Sequence, residues 1–175
     1  GACVAATSAV LAGVRRGYSL NVSSEQAGHV SRTEAVVLFQ TPATARVAQR
    51  HESRLGIAKA EPWVSSSAAI GDLKVTMWGM PPGTSLYQYK LTGGKWLTDE
   101  DLQSAVLSSR FAERGGYSVG DRIELRVGGE DKLLTVVGMV DDNAQGLQSS
   151  AQGKVFVPLE TANTMLHRGN QADFF

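Results

Sequence analysis

Apolar residues in this chain fall into short runs separated by glycine, proline and polar turns, a spacing that predicts strands more than helices. The run at 35–40 (AVVLFQ) is β-branched and aromatic and ends at Thr41-Pro42, as expected of a buried strand. Pro42 suits the first turn of a helix with Thr41 as N-cap. Over 43–55 the residues Ala43, Val47, Ala48 and Leu55 share one helical face and Arg46, Arg50 and Arg54 the other, with Gly56 placed as C-cap. A second extended run, 58–70, gives 35–70 the order strand, helix, strand. The preceding Ser-rich stretch, 17–33, lacks a period and reads as a loop or a short irregular helix.

The pattern changes at Gly71. Leu73, Val75 and Met77 alternate with Lys74, Thr76 and Trp78 until Pro81-Pro82-Gly83 ends the run, which predicts a half-buried strand. Gly93-Gly94 is read as a hairpin turn before Trp96-Leu97. A short apolar strand is expected at 105–107, followed by a helix over 110–114 capped by Ser108 or Ser109 and ended by Gly115-Gly116. The clearest unit is 119–140: a turn at Gly120-Asp121, alternation of Ile123, Leu125 and Val127 with Glu124 and Arg126, a hairpin at 128–131 (GGED), and a buried return strand over 133–140. In it Gly120 is expected to hold a positive φ. A polar loop at 141–154, a strand at 155–157 and a short helix at 159–167 introduced by Pro158 complete the series.

Composition narrows the class. With 175 residues, of which 42% are hydrophobic and 19% charged, the chain can bury a core without staples, and disorder, collagen and coiled coil are excluded. Seventeen basic residues balance seventeen acidic ones, so no broad field draws the protein to nucleic acid. The lone Cys3 cannot form an internal disulfide, and His29, His51 and His167 are too scattered for a zinc site. The apolar stretch at 1–14 is shorter than the ~20 residues a membrane helix requires. It reads as the end of a membrane helix, a small-residue helix packed on the domain, or a segment carrying a lipidated Cys3.

Candidate chemistry is sparse. Gly93-Gly94-Lys95 lacks the remainder of a phosphate loop, and neither GGYSVGD nor VGGEDK is followed by the helix a dinucleotide site needs. Ser65-Ser66-Ser67 has no nucleophile elbow and no local histidine. Asp99-Glu100-Asp101 and Asp141-Asp142-Asn143 lack the EF-hand pattern and read as solvated turns. Arg46, Arg50, Arg54 and Lys59 form a solvated face before they form a lipid-binding one. Trp63, Trp78 and Trp96 read as packing ahead of a ligand groove. No catalytic, cofactor-binding or metal residue is therefore assigned.

The motifs nevertheless follow one another in a specific order: Gly93-Gly94-Lys95-Trp96-Leu97, AVLSSRFAER at 105–114, Tyr117-Ser118-Val119-Gly120-Asp121, TVVGMVDD at 135–142 and Val155-Phe156-Val157-Pro158-Leu159. This string resembles the MacB-like periplasmic core domain of FtsX-like ABC transporter permeases, over roughly 35–166. The resemblance implies an α+β fold, a porter-like strand-helix-strand lobe with an inserted, mostly antiparallel β (Sabre-like) lobe. Its expected divisions are a membrane-proximal connector at 1–34, the first half of the porter-like lobe at 35–70, the Sabre-like lobe at 71–168, and the start of the return to the porter-like lobe at 169–175. Gly93, Gly94, Trp96, Gly120, Asp121, Gly138 and Pro158 become the structural turn residues of the motifs.

The function the resemblance implies is non-enzymatic. The domain would sit on the extracytoplasmic face of the plasma membrane, without a cofactor of its own. It would couple a cytosolic ABC ATPase, acting through membrane helices, to substrate extrusion, lipoprotein handling or control of a partner protein. A permease dimer and an extracytoplasmic protein partner are compatible with this scheme; nucleic acid is not. The competing reading is a small extracytoplasmic ligand-binding or enzymatic domain with a Trp-lined pocket. A third, a lipid-anchored adhesion domain, requires a lipobox before Cys3.

Overall fold

The computed structural model describes residues 18–23, 34–44, 61–84, 87, 89–141, 153–168 and 171–174, the first two segments and the last as backbone. The expected helix beyond residue 44, most of the polar loop after 141, His29, His51 and the N-terminal apolar stretch lie outside these residues.

Two sheets organise the described chain. The smaller contains β1 (Tyr18–Ser23), β2 (Glu34–Thr44) and β10 (Gln171–Phe174), with β2 central and both partners antiparallel to it. Two expectations are corrected here. Tyr18–Ser23 is a strand, not a loop or irregular helix, because it pairs along β2 from Tyr18↔Phe39 to Ser23↔Glu34. Thr41–Thr44 continues the strand in place of starting a helix. Pro42 is tolerated there because the β10 register slips: Ala172 faces Ala43 but Phe174 faces Leu38, so residues of β2 near Pro42 stand outside regular pairing.

The larger sheet holds β3 (Val64–Ile70), β4 (Leu73–Met80), β5 (Leu91–Gly94), β6 (Ser104–Ser108), β7 (Arg122–Val127), β8 (Glu130–Val140) and β9 (Gly153–Pro158), in the order β5-β8-β6-β9-β4-β3-β7. An additional β7–β8 pairing closes six of these strands into a ring, with β5 branching from β8. The sheet is mixed but mostly antiparallel, as expected: only β4–β9 and β6–β8 are parallel. The division expected between residues 70 and 71 falls at the tip of a hairpin: β3 and β4 pair from Val64↔Gly79 to Ile70↔Leu73, and Gly71 turns the chain with φ 58°. The residues 35–70 thus do not form one strand-helix-strand unit, because β2 and β3 belong to different sheets.

Alternation explains the ring. Ile123, Leu125 and Val127 of β7, Leu134 and Val136 of β8, Val75 and Met77 of β4 and Val155 and Val157 of β9 point into one inner core. The β7–β8 turn uses two residues, Gly128 and Gly129, at φ 58° and 93°; Glu130 and Asp131, expected in the turn, already belong to β8. Two consecutive positive φ values are what a type I′ hairpin demands and what glycine accepts without strain. Two seven-residue helices plug the ring. Helix α1 (Ser109–Gly115) buries Phe111 and Ala112, and ends at Gly116 in the left-handed region with Tyr117 N–H bonded to Ala112 O at 2.9 Å. Helix α2 (Leu159–Met165) buries Ala162 and Met165. Helices this short are held by packing, not by propensity.

Strand β9 is buried at all six positions, where only 155–157 was expected to be strand. It is central, and its outer face is covered as well: Phe156 joins Met80, Tyr87, Trp96, Leu97, Val106 and Val140 in a second core.

Candidate functional site

The motif residues converge on one stretch of β8. Up to Val136 the even positions face the inner core, but the β6 register moves from Ala105↔Val136 to Val106↔Gly138, so Val137 is an extra residue. Beyond this bulge the parity is inverted, with Val140 in the outer core. A single inserted residue lets β8 serve β7 with its first half and β6 and β5 with its second.

Two separated motifs brace that bulge through backbone groups. Gly120 N–H donates to Val136 O at 2.7 Å and Val136 N–H donates to Asp121 O at 2.8 Å. Lys95 N–H donates to Val137 O at 2.9 Å. Gly94 stands opposite Gly138, and the two strands approach so closely that side chains are excluded. A Cβ on Gly138 would lie 2.0 Å from Lys95 O, and one on Gly94 would lie 2.2 Å from Val137 O. Gly93-Gly94 is therefore the end of edge strand β5, with Gly94 at φ 66°, and not a hairpin turn.

Gly120 holds φ 100°, with nothing within 4 Å of where a Cβ would stand. The Asp121 carboxylate folds back to accept from Ser118 N–H at 2.8 Å and fixes the turn. Gly93 is half-buried, and a Cβ there would only touch Val119. Trp96 stacks on Tyr89 at 4.0 Å between ring centroids and lies 5.5 Å from Phe156. It is buried, with Nε1 lacking a hydrogen-bond partner. Its ring fills the outer core, with Trp63 and Trp78 packed against the same cluster. Pro158 is apart from the others: it ends β9 and occupies the N-cap position of α2, facing Met80 in register.

Several buried polar contacts escape sequence reasoning. Ser108 stands at the N-cap position of α1 but makes no side-chain cap; its Oγ instead accepts from Lys154 N–H at 3.1 Å. Ser109 Oγ donates to Val140 O at 2.9 Å and bonds Thr92 Oγ1, tying the bulged edge strand to α1. Thr161 Oγ1 donates to Leu102 O at 2.6 Å. Lys154, expected in a polar loop, is a buried strand residue. The available signal was a serine at each end of the apolar run 104–108.

Elsewhere chemistry is thin. Among the described residues no three His, Cys, Asp or Glu groups converge to hold a metal. Thr98 and then Lys95 hydrogen-bond the Asp101 carboxylate and hold its pKa below the usual carboxylate range. Arg126 does the same for Asp131, binding it with Nε at 2.7 Å and Nη2 at 3.2 Å. The first is an ion pair of a surface turn, the second a cross-strand pair of β7 and β8. An open depression of about 530 Å³ is lined by Pro81, Pro82, Leu102, Pro158, Leu159 and Asn163 among others, with Asp99 and Glu160 at its polar side.

The family model for the MacB-like periplasmic core domain matches residues 2–174. The chain belongs to that family, the extracytoplasmic domains of MacB/FtsX-like ABC transporter permeases. Its fold is similar to that of the extracellular domain of the noncanonic ABC-type transporter YknZ from Gram-positive bacteria, at TM-score 0.52 and 18% identity, over 76% of this chain and 71% of that one. It is similar also to the periplasmic region of MacB from Actinobacillus actinomycetemcomitans, at TM-score 0.52 and 14% identity, over 77% of this chain and 64% of that one. No curated protein matches. The family implies an ABC transporter with a cytosolic ATPase partner. No helix among the described residues is long and apolar enough to cross a membrane.

Proposed function

We propose that this chain is a mechanical element of an ABC permease anchored in the plasma membrane. In this reading it transmits ATP-driven motion of the cytosolic ATPase to substrate extrusion, lipoprotein handling or control of a partner protein. The observation that carries the reading is what the ordered motifs do. Gly94, Gly120, Asp121 and Gly138 brace backbone around one bulge, so their sequence pattern serves the shape of a body in place of a reaction. The three-stranded sheet corresponds to part of the porter-like lobe and the ring to the inserted Sabre-like lobe, whose limits then move to about 61–168. A Trp-lined ligand site is disfavoured because Trp96 is stacked and buried.

The test uses the full permease with its ATPase, taken as a dimer. Spin labels at exposed Glu113 in each copy should report different inter-label distances with and without Mg-ATP. Unchanged distances during hydrolysis would overturn the mechanical role. Calorimetric titration of Mg-ATP into the isolated chain should give only heat of dilution, and micromolar binding would contradict the assignment.

A further inference from the structure

The six ladders of the ring are unequal. Within 91–140, β7 and β8 pair from Arg122↔Thr135 to Val127↔Glu130, and β6 and β8 from Ser104↔Thr135 to Ser108↔Val140. In the remainder, β3 and β4 pair along the whole of β3, and β4 and β9 from Val75↔Gly153 to Met80↔Pro158. Only two ladders join these halves. One consists of Ala69↔Arg126 and Ile70↔Leu125, the other of Val106↔Phe156 and Leu107↔Val155.

The halves also match the order of the chain. One is the continuous segment 91–140 with α1; the other is β3, β4, β9 and α2, drawn from both sides of it. Polar ties between them include Thr161 to Leu102 O, Lys154 N–H to Ser108 Oγ, and an exposed His167 to Glu130 contact at 3.2 Å. Beside them runs apolar packing, such as Phe111 against Gly153 and the inner core around Leu107, Leu125, Val75 and Val155. Apolar burial is non-directional and tolerates small sliding, whereas a ladder must break to move.

We propose that the ring is a two-piece body in which the 91–140 half shifts as a unit against the half built from β3, β4, β9 and α2, the two short ladders being the seams that part first. This goes beyond the mechanical role proposed above and does not depend on it, since the motion belongs to the domain alone.

The test is native-state hydrogen exchange, resolved by amide, on the 175-residue chain across low urea concentrations. Amides bonded across the two seams should exchange through an opening with a smaller urea dependence than global unfolding, while amides of the long ladders exchange only with global unfolding. A second measurement uses Ala69→Cys/Arg126→Cys in a Cys3→Ser background; cross-strand partners of this kind lie within disulfide reach. Oxidation should slow exchange at the opposite seam, Val106–Phe156, at least tenfold relative to the same protein reduced. Seam amides that exchange only with global unfolding, or an opposite seam indifferent to oxidation, would overturn the proposal. Should the double variant fail to fold, the exchange pattern of the unmodified chain decides the matter.

Discussion

Replacing Gly138 by alanine tests the braced bulge directly. The new Cβ would stand 2.0 Å from Lys95 O and 2.9 Å from Lys95 C, both backbone atoms. Carbon and carbonyl oxygen settle no closer than about 3.3 Å, so β5 and β8 must separate by about 1.3 Å. That movement stretches the 2.9 Å bond from Lys95 N–H to Val137 O beyond a hydrogen bond. Overpacking contributes about 1–3 kcal/mol and the lost bond about 1 kcal/mol, offset by about 0.4–1 kcal/mol from the stiffer unfolded chain. The net loss is about 1–3.5 kcal/mol, which for a chain of this size lowers Tm by roughly 2–14 °C. Urea denaturation followed by Trp fluorescence measures it, with Gly83→Ala as control because nothing lies within 4 Å of a Cβ there. Gly94→Ala should cost more, because its φ of 66° adds backbone strain to the clash, and the double variant should cost less than the sum, since one displacement of β5 relieves both clashes. A Gly138→Ala midpoint equal to that of Gly83→Ala would refute the account.

Two further outcomes are expected. Gly120→Val should cost about 1–3 kcal/mol in the same assay, through backbone strain alone, because φ is 100° but no atom obstructs the side chain; a change below 0.5 kcal/mol, about the level of an ordinary surface substitution, would count against it. The folded pKa of Asp101 is depressed, so the unfolded state binds more protons in acid and stability falls as pH drops below about 4. The denaturation midpoint of Asp101→Asn should therefore lie below that of the unmodified chain at pH 7 and approach it at pH 3, and a gap independent of pH would refute the linkage.

Local pattern announced those elements whose reasons are local. The β7–β8 hairpin follows from alternation plus two adjacent glycines, and α1 from a serine at its start and Gly116 at its end. What pattern could not convey was partnership. Thr41-Pro42 has the chemistry of a helix start, but β10 pairs with Ala43 and Thr44 and extends β2 beyond Phe39, where its pairing with β1 ends. The run at 58–70 looked like the partner of 35–40, yet β3 turns at Gly71 and pairs with β4. A parallel neighbour distant in sequence, such as β9 beside β4, leaves no mark on either strand except that β9 is apolar enough to be buried on both faces.

The site was legible as an order of motifs and illegible as a place. Gly93-Gly94, Gly120-Asp121 and Gly138 each look like an ordinary turn, and for Gly120 the turn reading is sufficient because its φ alone demands glycine. For Gly138 it is not: its backbone is in a strand, and the requirement for glycine comes from Lys95 O, forty-three residues earlier, pressed against the position of the missing Cβ. A glycine chosen for close approach and one chosen for a turn are identical in a sequence. Their difference decides what the motif string means, because close approach at a bulge is a property of how strands are joined. In this chain Gly94 and Gly138 thus mark the junction by which one strand serves three neighbours, and the chemistry at that junction is the backbone's own.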